Sequence, residues 1–154
     1  MIRILRAIIE DTRLDPLTRI ERCFDQMGRE DSRIRWIGLY LITHSRKEYL
    51  LGPFFGPPRK PVRFPLQEGF PDGSLARYLD DPQDLNLWFT QREGDSSDLH
   101  DCRVVSVFLK RAGKVLGQLE MVGTLEPEDC HLLETLGTLI EPFIPDFDLD
   151  DPFS

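Results

Sequence analysis

Cys102 stands two residues from His100, with Asp98 and Asp101 beside the pair. In extended chain an i, i+2 spacing puts two side chains on one side. A histidine next to a cysteine can draw off the thiol proton and leave a reactive thiolate. Cys102 and His100 are therefore the candidate catalytic pair for thiol chemistry. The plainer reading is a small residue at the start of a strand beside a solvated imidazole. A zinc site needs four converging ligands, and one Cys and one His do not supply them, so no metal is expected. Cys23 and Cys130 lie on or beside apolar helical stripes and read as small core residues.

A second group is aromatic and acidic. Trp36, Tyr40, Phe54, Trp88 and Phe89 are large flat side chains that can line a pocket, and Asp95 and Glu120 are the acids expected to face it. The candidate ligand-binding residues are Trp36, Tyr40, Trp88, Asp95 and Glu120; core packing is the competing reading for the aromatic ones. Trp88 stands out because its segment, Asp80 to Asp101, reads as a long loop, polar and irregular apart from Leu85 to Phe89, and long loops often carry binding sites. His131 reads as an exposed residue or a local hydrogen-bonder.

Regular elements must hold these groups in place. Ile2, Leu5, Ile8 and Ile9 recur at helical spacing in residues 2–11. Asp15-Pro16 signals a new helix, with Asp15 as N-cap and Pro16 in the first turn. Leu17, Ile20, Phe24 and Met27 carry its stripe, and Gly28 is the expected C-cap. Residues 34–42 and 48–55 read as a hairpin, and Val62 to Leu66 as a short edge strand between prolines. Residues 74–79 fit a small helix. Residues 103–111 and 114–122 form a second hairpin turning at Ala112-Gly113, with Val105, Val107 and Leu109 on one face and Val104 and Phe108 on the other. Thr124 to Pro127 starts a last helix with Leu132, Leu133, Leu136, Leu139 and Ile140 along one side, ended by Pro142. The order predicts an α+β fold, an antiparallel sheet with the terminal helices on one face.

The chain has 154 residues, 40% hydrophobic and 30% charged, which suits one soluble domain. That domain is expected over residues 1–142. Residues 143–154 form an acidic tail with Phe and Pro, read as extended or disordered. The net charge is −8, and residues 141–154 contribute five acids, Glu141, Asp146, Asp148, Asp150 and Asp151. Without clustered cations, nucleic acid is a poor partner. Pro58 to Arg63 is a small basic cluster, either a phosphate or acidic-partner site or a solvated edge. No apolar run is long enough to span a membrane, and the N-terminus lacks a leader-like apolar core. Three widely spaced cysteines do not make a disulfide framework, which points to a reducing cytoplasm. No phosphate-cradling glycine motif is present, and no cofactor is expected.

Taken in order, Trp36-Ile-Gly-Leu-Tyr40, Leu51-Gly-Pro-Phe54 with Gly56, Val62-Arg-Phe-Pro65 with Gly69, Asp95-Ser-Ser97 and Gly117-Gln-Leu-Glu120 resemble a GAF domain. More narrowly they resemble the free methionine-(R)-sulfoxide reductases, over roughly residues 17–141. The resemblance implies a GAF-like sheet and, in that family, cysteine-dependent reduction of the sulfoxide. The family's three cysteine places hold Pro61, Pro71 and Gly94 here, none of which can form a thiolate. Of the two acids in the family's Leu-Asp-Ile-Asp strand, the first corresponds to Glu120 and the second to Val122. A further family glutamate falls near Asp101–Arg103. The resemblance thus implies a non-catalytic binding or regulatory protein, with cysteine chemistry at Cys102 as the alternative. Its partners would be a small molecule or another protein, reached through the acidic tail or terminal helices. GAF domains often pair through those helices, so a homodimer is expected.

Overall fold

The computed structural model describes residues 1–42, 48–58, 63–65, 87–91 and 102–144. In chain order these form α1 (Ile2–Ile9), α2 (Pro16–Glu30), β1 (Ile34–Ile42), β2 (Glu48–Phe55), β3 (Arg63–Pro65), β4 (Leu87–Gln91), β5 (Arg103–Arg111), β6 (Lys114–Gly123) and α3 (Asp129–Ile140), closed by a 3-10 turn at Glu141–Phe143. The strands make one sheet in the order β3-β2-β1-β6-β5-β4, antiparallel at every pair. This is the α+β arrangement expected, and β3 takes the edge position that its proline predicts.

Local chemistry explains the helix starts. The Asp15 carboxylate accepts the Thr18 backbone N–H at 3.0 Å, and Pro16 occupies the first turn of α2. Residues 124–128 lead into α3 through turns rather than as its first residues. The Asp129 carboxylate accepts the Glu126 N–H at 2.7 Å, and the helix begins at Asp129. The Arg33 guanidinium ties the end of α2 to the start of α3, donating to Asp31 at 2.8 Å and to Asp129 at 3.0 Å. At the far end of β5, Arg111 donates to the Glu141 carboxylate at 2.9 Å and to the carbonyls of Glu141 and Ile144, so the chain after α3 is pinned to the sheet. Phe143 and Ile144, at the head of the expected tail, pack against the core.

Two further expectations fail. Gly28 does not end α2, which continues to Glu30 with Asp31 as its cap. A Cβ at position 28 would lie 2.1 Å from the Phe55 ring, so this glycine admits β2 against the helix instead of stopping it. The Asp80 to Asp101 segment is not all loop: Leu87–Gln91 is strand β4, paired with β5. Trp88 therefore stands on a strand, at the register position facing Ser106. The expected helix at 74–79 and the tail from residue 145 lie outside the described residues.

The described helices share one face of the sheet. Leu5 and Ile9 of α1, Ile20, Phe24 and Met27 of α2, and Leu133, Leu136 and Ile140 of α3 are buried with Ile37, Leu39, Leu41, Val105, Val107, Leu109, Leu119 and Met121 of the strands. At roughly 1.5–3 kcal/mol for each large apolar side chain taken out of water, this layer dominates the fold's stability. The expected division of β5 holds, because Val104 and Phe108 belong to a separate cluster on the other face. Among the described residues, no helix is long and apolar enough to cross a membrane.

Candidate functional site

The face opposite the described helices is ordered by the register of three central strands. Trp36, Val122 and Val104 form one row; Gly38, Glu120 and Ser106 the next; Tyr40, Gln118 and Phe108 the third. Cross-strand neighbours of this kind stand about 5 Å apart at Cβ, so each row is a set of contacts. The buried apolar members of this face are Trp36, Tyr40, Ile42, Tyr49, Cys102, Val104, Phe108, Val115 and Val122, with no helix residue among them.

The spacing Trp36-x-Gly38-x-Tyr40 has a physical reason. All three residues point to the same side of β1, and the six-membered ring of the Trp36 indole lies over Gly38. A Cβ there would come within 2.3 Å of Trp36 Cη2. The indole is stacked on Phe54, with centroids 6.1 Å apart at 14°, and tilted against Tyr40 at 5.9 Å. Tyr40 in turn meets Tyr49 edge-on at 5.9 Å. The β1–β2 register shifts between Gly38 and Tyr40, and such bulges re-aim side chains. The result is an aromatic wall built by β1 and β2.

Beside this wall lie three buried polar residues, Ser106, Gln118 and Glu120, each 0% exposed. The Tyr49 hydroxyl donates to Gln118 Oε1 at 2.6 Å. Burial raises the Tyr49 phenol well above its ordinary value, and the charges of Glu120 and Tyr40 push the same way. The Ser106 hydroxyl is buried without a hydrogen-bond partner among the described residues. A polar atom left so costs about 1–3 kcal/mol. Such an atom in a native fold calls for a functional or solvent account.

Of the residues singled out from sequence, Trp36, Tyr40 and Glu120 share this face, and Cys102 packs into the same cluster at 2% exposure. Trp88 is across from Ser106 on β4. His100 and Asp95 lie outside the described residues, as do Pro61, Pro71 and Gly94. Tyr49, Ser106 and Gln118 were not singled out. The signal for Ser106 and Gln118 was the alternation itself: each is polar at a position where the strand turns a side chain toward Trp36 and Tyr40.

The other two thiols are poor nucleophiles. Cys23 Sγ is buried under α1 and donates to the Leu5 carbonyl at 3.6 Å. Burial pushes its pKa up to about 11. Burial also raises the Cys130 thiol, helped by the charge of Asp129. No disulfide joins the three cysteines. Among the described residues, no group of three His, Cys, Asp or Glu is placed to hold a metal ion. Among the described residues, two grooves lie on the helix side. One of about 340 Å³ runs between β5 and α3, lined by Lys110, Glu134 and Gly137 among others. One of about 400 Å³ lies between α1 and α3, lined by Ile2, Arg6, Leu139 and Phe143 among others. Neither touches the polar row.

No protein-family model matches the chain, and no curated protein does. Solved structures do resemble it. A free methionine-R-sulfoxide reductase from Neisseria meningitidis, solved with its substrate, has a TM-score of 0.71 at 18% identity, over 90% of this chain and 83% of that one. The corresponding protein of Staphylococcus aureus, also with substrate, gives 0.69 at 19% identity over 92% and 91%. The GAF domain of an Acinetobacter phosphoenolpyruvate-protein phosphotransferase gives 0.66 at 15% identity over 90% and 89%. At these identities the likeness is one of fold.

Proposed function

We propose that this chain is a GAF-fold binding module that works without cysteine catalysis and takes a small ligand on the face of its sheet opposite the described helices. The observation that carries the reading is the buried row of Glu120 and Ser106 set beside the Trp36 and Tyr40 rings. A polar floor under an aromatic wall is the usual composition of a small-molecule site, where few polar groups fix orientation. Prolines and a glycine at the reductases' cysteine places, and two of three thiols held protonated, support binding over turnover. Occupancy of this face would report the ligand to a partner. A second subunit, met through the terminal helices, and a protein partner, met through the acidic tail, are the two routes for that report in a reducing cytoplasm. Thermal denaturation of wild type and Trp36→Ala across a metabolite library tests the reading. A ligand that raises the wild-type Tm and leaves the variant unmoved supports it; a library without effect on the wild type counts against it.

One observation favours a second reading. Cys102 lies in the same buried cluster as Trp36 and Tyr40, where a sulfoxide would meet a thiol. The Cys102 thiol would take the sulfoxide oxygen, leaving the thioether and a sulfenic acid on Cys102, which two equivalents of an added thiol would return to the thiol with release of water and a disulfide. NADPH-coupled turnover of free methionine-(R)-sulfoxide, present in wild type and absent in Cys102→Ser, would establish this reading and overturn the first.

A further inference from the structure

Independently of any ligand on the sheet, we propose that the acidic tail, residues 145–154, docks into the groove between α1 and α3 of its own chain and is held there until a segment of like chemistry displaces it. The groove holds about 400 Å³. One wall is Ile2, Arg6 and Glu10, spaced four apart along α1. On the other, Thr135 and Thr138 donate their hydroxyls back to the carbonyls of His131 and Glu134, at 2.9 and 3.2 Å. Their donors are thus already used, and what remains on that wall is chiefly the apolar surface of Leu139 and Phe143.

The tail starts at one end of this groove. Phe143 lines it and Ile144 comes next. Arg111 donates to the Ile144 carbonyl at 3.2 Å, which fixes the point of departure. Arg19 lies over the Phe143 ring at 5.7 Å while donating to the Ile9 carbonyl at 3.3 Å, so the last turn of α1 and the turn after α3 lie together. From there the groove leads back toward Ile2. Eight helical steps separate Glu10 from Ile2, about 12 Å at 1.5 Å each. Extended chain covers up to about 3.5 Å per residue, so about four residues span the groove and the tail is long enough. In that form Phe147 and Leu149 fall on one side and Asp146, Asp148 and Asp150 on the other. The apolar pair matches Ile2, Leu139 and Phe143. The acids come beside Arg6, which is exposed and makes no side-chain hydrogen bond or ion pair among the described residues. Glu10 is the acid among the described lining residues, and it stands at the starting end, where the tail's first residue is Pro145. A short tether holds its segment at about millimolar effective concentration, which favours this tail over an untethered one. Docked, it is withheld from any partner.

Fluorescence polarisation with a labelled peptide of residues 145–154 tests this on two full-length chains, wild type and one with its own tail disabled by Phe147→Ser, Leu149→Ser and Phe153→Ser. The disabled chain should bind the peptide with a Kd of about 0.5 mM or tighter, and wild type at least about threefold more weakly, because a tethered tail at about 1 mM competes. In the disabled chain Arg6→Glu should weaken the peptide about threefold to tenfold, less so in high salt. Thr138→Phe, at an exposed position, should fill the groove and abolish binding with the urea midpoint unchanged. Equal affinity for both chains, a weaker Kd than about 0.5 mM for the disabled chain, or binding that survives Thr138→Phe would each overturn the proposal. So would a wild type that sediments as a dimer beside a disabled chain that sediments as a monomer, since the tail would then sit on a second copy.

Discussion

Alanine at position 38 would place its Cβ 2.3 Å from Cη2 and 2.8 Å from Cζ2 of Trp36. Carbon atoms rest about 3.5–4.0 Å apart, so the indole would have to withdraw by more than about 1 Å. It has little space to do so, being 1% exposed and stacked on Phe54. Overpacking of this kind costs about 1–3 kcal/mol. Against it stands about 0.5–1 kcal/mol that any glycine-to-alanine change returns by stiffening the unfolded chain. The expected net loss for Gly38→Ala is about 1–2 kcal/mol by these two terms. The cause can be isolated with Trp36→Leu, whose shorter side chain does not reach position 38. In that background Gly38→Ala should be neutral or stabilising by up to about 1 kcal/mol, which makes the coupling energy about 1–3 kcal/mol. Urea unfolding of the four proteins, with m-values held equal, measures the cycle. Additive effects, or a wild-type background stabilised by Gly38→Ala, would refute the account of the Trp-x-Gly-x-Tyr spacing.

Alkaline titration should reveal Cys23. Its folded pKa of about 11 lies above the unfolded value, so its contribution to stability is complete below the unfolded pKa near ~8.5 and is lost as pH rises toward 11; Cys23→Ala should flatten that limb in urea midpoints. The acid limb has the opposite sign. The Arg33 guanidinium hydrogen-bonded to Asp31 lowers that carboxyl, so its contribution is full above about pH 4 and is lost as pH falls through the folded value. Arg33→Met should flatten the acid limb and, with Arg33 44% exposed, cost about 1 kcal/mol or less at neutral pH. Ala112 holds φ at +52° in the β5–β6 turn, where an L-residue other than Asn or Gly is strained. Ala112→Asn should therefore raise the urea midpoint by about 0.5–1 kcal/mol equivalent.

Much of this architecture can be read from residue order, because its causes are local. Asp15-Pro16 starts a helix wherever it occurs before an apolar stripe, and the alternation from Val104 to Leu109 assigns faces without any knowledge of the partner strand. Gly28 was misread because a glycine after a stripe has two meanings, a stop or a close approach, and only Phe55 decides between them. Strand β4 was missed for a related reason. Leu87–Gln91 is short, and its extended form depends on pairing with β5 rather than on its own composition. The site divides the same way. Trp36, Tyr40 and Glu120 announce themselves by type. Tyr49 and Gln118 meet across 69 positions of chain, and Ser106 gains its meaning from facing Glu120, so both depend on register, which no local pattern encodes.

The sheet's two faces have a consequence for how such a chain can change over generations. From Trp36 to Ile42, Val104 to Leu109 and Gln118 to Val122, even-numbered residues face the polar row and odd-numbered ones face the helices. Parity is thus an address. Exchanges at even positions rewrite what the polar face recognises, while exchanges at odd positions disturb the layer that keeps the chain folded. Selection on recognition and selection on foldedness act on interleaved, nearly disjoint sets of sites. A lineage can discard one chemistry at the even sites and try another, and the scaffold inherited through the odd sites need not register the change.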